Sequence, residues 1–244
     1  QYLYTLWAAL TFILLLIPIA ILYFIVGFIS GGKAERIFLA INFLLVTLWA
    51  MLTGIICVTK RNPNVDKKRA HVFVCNHSSM LDAIIVSHAL QYRVRVMAKK
   101  EVLKMPLLGT MFKWAAIIVD RSDKASRKRS QENLLKFAKR GVSVQVFPEG
   151  TRNKTDKPLL DFYNGAFRTA IEAQIPIVPV ILLNAGKLMP KGGFLVRPGI
   201  LKAHILDPID VTDLTEDNLE ALKQKTWQIM HDKIVELDSR FQNV

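Results

Sequence analysis

The stretch His71-Val72-Phe73-Val74-Cys75-Asn76-His77-Ser78-Ser79-Met80-Leu81-Asp82 carries the architectural signal of this chain. Its first five residues form a short apolar run rich in β-branched and aromatic types, which reads as a buried strand. Four polar residues follow, and residues 81–90 then read as a helix. His77 therefore leaves the end of a buried strand at the mouth of a helix, where α/β sheets form their sites. Histidine is the side chain suited to general-base work near neutral pH, and a carboxylate can hold its ring in one tautomer. Asp82 lies five residues on. Within one helix that offset is about 140° around the axis, the wrong face. The pair meets only if His77 precedes the helix and Asp82 occupies its first turn, which the strand–turn–helix pattern supplies. By itself the spacing is a weak signal, since 5 His and 20 acidic residues in 244 positions produce about 0.4 such pairs by chance. His71, His88 and His204 lack an acidic partner at that spacing and read as structural.

Outward from this stretch, strands are expected at residues 93–98, 115–119, 142–147, 177–183 and 201–206. Residues 99–112 read as short helical pieces broken at Pro106 and Gly109. A polar helix capped by Ser122 or Asp123 ends at Gly141. Residues 164–174 read as helix, and Asp213 followed by Glu216 is expected to start a final amphipathic helix. Strands alternating with helices indicate an α/β domain.

The amino-terminal part is different. Residues 1–32 contain no charged side chain, and residues 4–29 and 37–58 are two almost purely apolar stretches joined by a short polar turn. Each is long enough to cross a hydrocarbon core of ~30 Å at ~1.5 Å per residue, and the turn permits only an antiparallel hairpin. The first stretch is too long for a signal peptide and lacks a small-residue cleavage site before the second. Pro18 falls mid-way along it, and Lys33 and Arg36 can sit among headgroups. Lys60, Arg61, Lys67, Lys68 and Arg69 follow the hairpin, so its ends are expected on the cytoplasmic side. In a bacterium this is the cytoplasmic face of the inner membrane.

The whole chain carries a net charge of +13 while 51% of its residues are hydrophobic. That balance excludes a disordered chain, and two cysteines exclude a disulfide scaffold. The charge is uneven: residues 60–206 hold 27 Lys and Arg against 10 Asp and Glu, and residues 207–244 hold 4 against 9. A basic body beside an apolar hairpin fits an anionic lipid surface, at roughly 1 kcal/mol per basic residue near it. Nucleic-acid binding needs a reader motif or an aromatic platform, and none is present, so no nucleic-acid partner is expected.

A second constellation, Phe147-Pro148-Glu149-Gly150-Thr151-Arg152, also ends a strand. Gly150 allows close backbone approach, N–H groups there can hold an anion, and the Arg152 guanidinium suits phosphate. Glu149 can orient a hydroxyl or pair with Arg152.

Together, Asn76-His77-x-x-x-x-Asp82 and Phe147-Pro148-Glu149-Gly150-Thr151-Arg152 resemble the glycerolipid acyltransferase family, in particular its 1-acylglycerol-3-phosphate acyltransferases. Ile118-Val119-Asp120-Arg121 stands where that family has its glycerol-phosphate-binding Asp-Arg segment. Lys99-Lys100-Glu101, Pro106-Leu107-Leu108-Gly109 and Ile175-Pro176-Ile177-Val178-Pro179-Val180 are similar too. The chain departs from the family at Ala115-Ala116, where glycine is frequent, and at Tyr163-Asn164, where a basic residue is common.

The resemblance implies a single α/β acyltransferase domain with a central mixed sheet over residues 60–244, with an acidic carboxyl-terminal helix, preceded by a two-helix membrane anchor over residues 1–59. It implies that His77, oriented by Asp82, deprotonates the sn-2 hydroxyl of 1-acylglycerol 3-phosphate, which then attacks a thioester, acyl carrier protein or coenzyme A being the carrier. Phosphatidic acid results. No covalent acyl-enzyme is required, in agreement with the absence of a Gly-x-Ser-x-Gly elbow, so Ser78 and Ser79 read as helix caps. Backbone N–H groups near Gly150 or at the helix after His77 are expected to stabilise the oxyanion. Arg152, Glu149, Gly150, Thr151, Arg121 and Asp120 are expected at the acceptor and its phosphate, with Lys99 and Lys100 as further candidates. No metal or bound cofactor is expected, and the lipid partners are lysophosphatidic acid and anionic phospholipids. The alternatives are the same chemistry on glycerol 3-phosphate, another lysophospholipid or an ornithine lipid, or a non-enzymatic membrane-tethered lipid-binding protein.

Overall fold

The computed structural model describes residues 1–31, 34–120, 122–190 and 193–242. The first apolar stretch forms one helix, α1 (Tyr2–Ser30), which continues through Pro18 and ends at Gly31 in the left-handed region. α2 (Glu35–Thr53) returns beside it. Both are long and apolar enough to cross a membrane. Arg36 is exposed, and Lys33 lies outside the described residues.

The second apolar stretch does not run to residue 58 as one helix. Gly54 stops α2 at φ 65°, and β1 (Ile55–Lys60) follows at once. This edge strand pairs in parallel with β7 (Gly199–Ile205). Its residues alternate between buried or half-buried and exposed. The sheet thus begins ahead of residue 60, and the reason is local: glycine enters the left-handed region without the Cβ penalty that would keep another residue helical.

Then come β2 (Val72–Cys75), α3 (Asp82–Ala89), β3 (Val94–Lys99), α4 (Leu108–Ala115), β4 (Ala116–Val119), α5 (Lys124–Lys139), β5 (Ser143–Val146), α6 (Gly165–Ala173), β6 (Ile177–Leu183) and the short α7 (Ala185–Leu188) before β7. α8 (Leu219–Leu237) closes the domain. The seven strands are ordered β1-β7-β6-β2-β5-β3-β4. Only β6 and β7 pair antiparallel, so the sheet is mixed, as expected. β2 and β6 are buried at every position, which explains their unbroken apolar runs.

Two cores fill the faces of the sheet. Phe73, Ile85, Val180 and Leu201 belong to one, where α3 packs and where Ala8 of α1 and Trp49 of α2 join. Phe167, Ile181, Met230 and Ile234 belong to the other, under α6 and α8. α5 starts on Asp123, whose carboxylate accepts from the N–H groups of Ala125 and Ser126. The last helix starts differently from expectation. Asp213 sits in the left-handed region at φ 61°, while Thr215 and Asn218 form the capping box. The short side chain of Asn218 reaches back to the Thr215 N–H, so Glu216 is left free to pair with Arg168 of α6.

α1 is fastened to the α/β domain near both of its ends. The Thr5 hydroxyl accepts from the Val196 N–H at 3.0 Å. Gly27 lies so close to the Trp114 ring that a Cβ there would come within 2.4 Å of it. These attachments are 22 residues apart in sequence, about 33 Å along a helix.

Candidate active site

β2, β5, β3 and β4 run parallel, so their carboxyl ends share one edge of the sheet. The chain leaving β2 is tied down at once: the Asn76 carboxamide accepts from the Leu182 N–H (2.7 Å) and donates to the Leu182 carbonyl (2.9 Å) on β6. His77 follows, with its side chain 19% exposed. Asp82, fully buried in the first turn of α3, accepts at Oδ2 from His77 Nδ1 at 2.8 Å. The same oxygen accepts from the N–H groups of Ser78 (2.6 Å) and Ser79 (2.7 Å). This is the geometry the five-residue spacing requires. With Nδ1 engaged, Nε2 is the ring nitrogen left for chemistry.

Phe147, at the end of β5, stacks on the imidazole with centroids 4.1 Å apart and planes 17° apart. Glu149 turns inward rather than toward substrate space. It is 3% exposed, and its oxygens accept from the N–H groups of His77 (2.7 Å) and Leu160 (3.1 Å). Among the described residues no ion pair joins it to Arg152. Burial is the main cause that pushes its carboxyl up to about 7, aided by the nearby Asp82 charge, while the two N–H donors oppose the rise. Asn153 donates its N–H to the His77 carbonyl at 2.6 Å.

Gly150 has φ 67°, and a Cβ there would meet the Tyr163 ring at 2.6 Å. Thr151 and Arg152 are exposed. Arg152 lines a cleft with Ser78 and Ser79, the two residues that follow His77, and with Lys154 and Met189. Ser79 does not cap α3, whose N-cap is Leu81; its hydroxyl accepts from the Leu81 N–H in the turn before the helix and donates to the Met189 carbonyl.

Three of the N–H groups at the expected oxyanion positions have partners within the protein. The amides of Ser78 and Ser79 serve Asp82, and that of Gly150 bonds the Phe147 carbonyl.

Lys99 and Lys100 leave β3, and Asp120 leaves β4. They share the edge with His77 but stand two and three strands from β2, roughly 10 and 14 Å at the usual strand spacing. Lys99 is exposed. Asp120 pairs with Lys100, which together with the Ser122 hydroxyl holds its carboxyl down at about 2. Arg121 lies outside the described residues.

Sequence reading assigned no role to Asn76, Phe147 or Asn153. Each acts through a contact with a residue 70 or more positions away, and its place beside a motif was the one available signal.

A histidine tied to a buried carboxylate at the carboxyl edge of an α/β sheet, with a cationic cleft next to it, is an arrangement suited to moving a proton. The chain belongs to the Acyltransferase family, whose model matches residues 56–183. Among its relatives, a 1-acyl-sn-glycerol-3-phosphate acyltransferase from Limnanthes douglasii is 36% identical over 156 residues, covering 63% of this chain and 55% of that one. One of the same name from Haemophilus influenzae is 31% identical over 188 residues, covering 74% and 75%. The chain thus spans about half the length of the plant relative and three quarters of the bacterial one. The crystal structure of the 1-acyl-sn-glycerophosphate (LPA) acyltransferase from Thermotoga maritima shares this fold, with a TM-score of 0.72 at 21% identity over 95% of this chain and 98% of that one.

Proposed function

We propose that the protein transfers a fatty acyl group from a thioester, carried by acyl carrier protein or coenzyme A, to the sn-2 hydroxyl of 1-acylglycerol 3-phosphate, forming phosphatidic acid. The observation that carries this reading is the His77–Asp82 pair, 2.8 Å apart, beside the cleft of Arg152 and Lys154. His77 Nε2 removes the hydroxyl proton as the oxygen attacks the thioester carbonyl. Asp82 stabilises the imidazolium that forms. Collapse of the tetrahedral intermediate breaks the C–S bond, and the proton on His77 passes to the departing thiolate. Arg152, with Lys154, meets the acceptor phosphate, and Arg121 remains the further candidate.

The hairpin serves the same chemistry. A helix attached to the domain at points about 33 Å apart lies alongside that domain. Upright in a bilayer, it would drag a body rich in Lys and Arg into hydrocarbon. The hairpin therefore lies in one leaflet with its apolar face down, on the cytoplasmic side by the distribution of basic residues. There a lysophospholipid reaches His77 without leaving the headgroup layer.

The test is an acyl-transfer assay that crosses both thioester carriers with lysophosphatidic acid, glycerol 3-phosphate and other lysophospholipids. Phosphatidic acid is the expected product, lost in His77→Ala. Turnover by His77→Ala near that of the parent would overturn the mechanism, and a preference for another acceptor would overturn the substrate.

A further inference from the structure

We propose that Glu149 is a positioning residue that fixes the backbone of His77, and that it does not touch the substrate. The inference rests on His77 as the base. Both oxygens of Glu149 are already committed, one to the His77 N–H at 2.7 Å and the other to the Leu160 N–H at 3.1 Å. The next peptide unit is held as well, because the His77 carbonyl accepts from the Asn153 N–H at 2.6 Å. The backbone on both sides of the His77 Cα is thus tied to the turn after β5. The imidazole is then fixed by Phe147 against its face and Asp82 at Nδ1. Among the described residues, the hydrogen bonds to the His77 backbone and the ring stacked on its imidazole come from residues 147–153, and Asp82 supplies the bond to Nδ1.

The chemistry of the group supports this role. Two N–H donors converge on the site, and a carboxyl group, ionised or neutral, offers an oxygen acceptor to each. Glutamine supplies one oxygen and sets its NH₂ against a donor. A carboxyl 3% exposed costs free energy to ionise, and its raised titration point reflects that cost. Arg152, by contrast, is exposed in the cleft that Ser78 and Ser79 line. Misplacing a reacting group by about 1 Å can cost ~10²-fold in rate, so a slack His77 backbone shows in turnover and not in acceptor binding.

The experiment measures kcat and acceptor KM for Glu149→Gln, Glu149→Asp and Arg152→Ala in full-length protein, together with the ¹⁵N signals of the His77 imidazole. Glu149→Gln is expected to lower kcat about 10- to 100-fold with KM for lysophosphatidic acid within about twofold, and to move the His77 ring signals. Arg152→Ala is expected to raise KM and leave those signals in place. A raised KM with unchanged kcat in Glu149→Gln would mean direct substrate contact and overturn the proposal, as would unmoved His77 signals. If Glu149→Gln fails to fold, Glu149→Asp, which keeps both oxygens but is one methylene shorter, is read by the same criteria. Absence of any acyl transfer by the parent would overturn the proposed function, while the His77 signals would still decide whether Glu149 positions the ring.

Discussion

Replacing Asp82 by asparagine removes one charge from the site and leaves its shape. Asp82 is fully buried, and its Oδ2 accepts from His77 Nδ1, Ser78 N–H and Ser79 N–H. An asparagine oxygen in the same place still serves all three donors, so the loop after β2 keeps its anchor. What disappears is the carboxylate facing an imidazolium in the transition state. A hydrogen bond to a charged partner contributes ~1.5–3 kcal/mol, against about 1 for a neutral one. The amide NH₂ also takes the place of Oδ1, a buried atom that has no hydrogen-bond partner among the described residues, so a donor is buried unpaired at a further cost. The unpaired amide costs ground and transition states alike, so the loss specific to the transition state is about 1–2 kcal/mol, roughly 5- to 30-fold in kcat. Acceptor KM should change little, since Asp82 is out of reach of any ligand. The assay follows thiol release from an acyl thioester at saturating lysophosphatidic acid, with a thermal melt to confirm folding. A folded Asp82→Asn enzyme with kcat within threefold of the parent would refute the assigned role.

Two further outcomes follow from the same edge of the sheet. Gly150→Ala forces a Cβ into the left-handed region at φ 67° and against the Tyr163 ring. Tyr163 is exposed and can swing aside, so the backbone term dominates at about 1–2 kcal/mol, a fall in Tm of roughly 2–8 °C; an unchanged Tm would contradict the strained turn. The second concerns pH. Glu149 holds its proton up to about 7 in the native state, against 4.5 ordinarily. Between those values the native protein binds more protons than the unfolded chain, so stability from this group falls as pH rises through that window, by roughly 3 kcal/mol. The drop in urea midpoint between pH 4.5 and 7.5 should therefore be smaller in Glu149→Gln than in the parent, and equal drops would remove the argument.

The local patterns were legible wherever physics acts locally. The apolar run at residues 71–75, the polar turn and the helix after it are short-range features, and so the His77–Asp82 contact could be anticipated from the strand–turn–helix pattern together with the spacing. The alternation of strands and helices, and the uncharged length of the hairpin, are likewise properties of adjacent residues. Where two local readings competed, the apolar period misled. Residues 55–58 continue the hydrophobic stretch of α2, and only the glycine at 54 hints that a strand begins. Glu216 looked like a capping residue by composition, yet Asn218 took that place and Arg168 of another helix claimed the glutamate.

Amino-acid order by itself determined most of the helices and strands, and the pairing of a histidine with its carboxylate, because each rests on neighbours within a few residues. Tertiary structure alone decided the strand order, the attachment of α1 along the domain, and the direction in which Glu149 faces. Glu149 meets the His77 N–H across 72 positions of sequence. No periodicity records such a contact. It exists because β2 and β5 are paired in parallel, and their ends are thereby brought to the same edge, where one buried carboxylate satisfies donors from two loops.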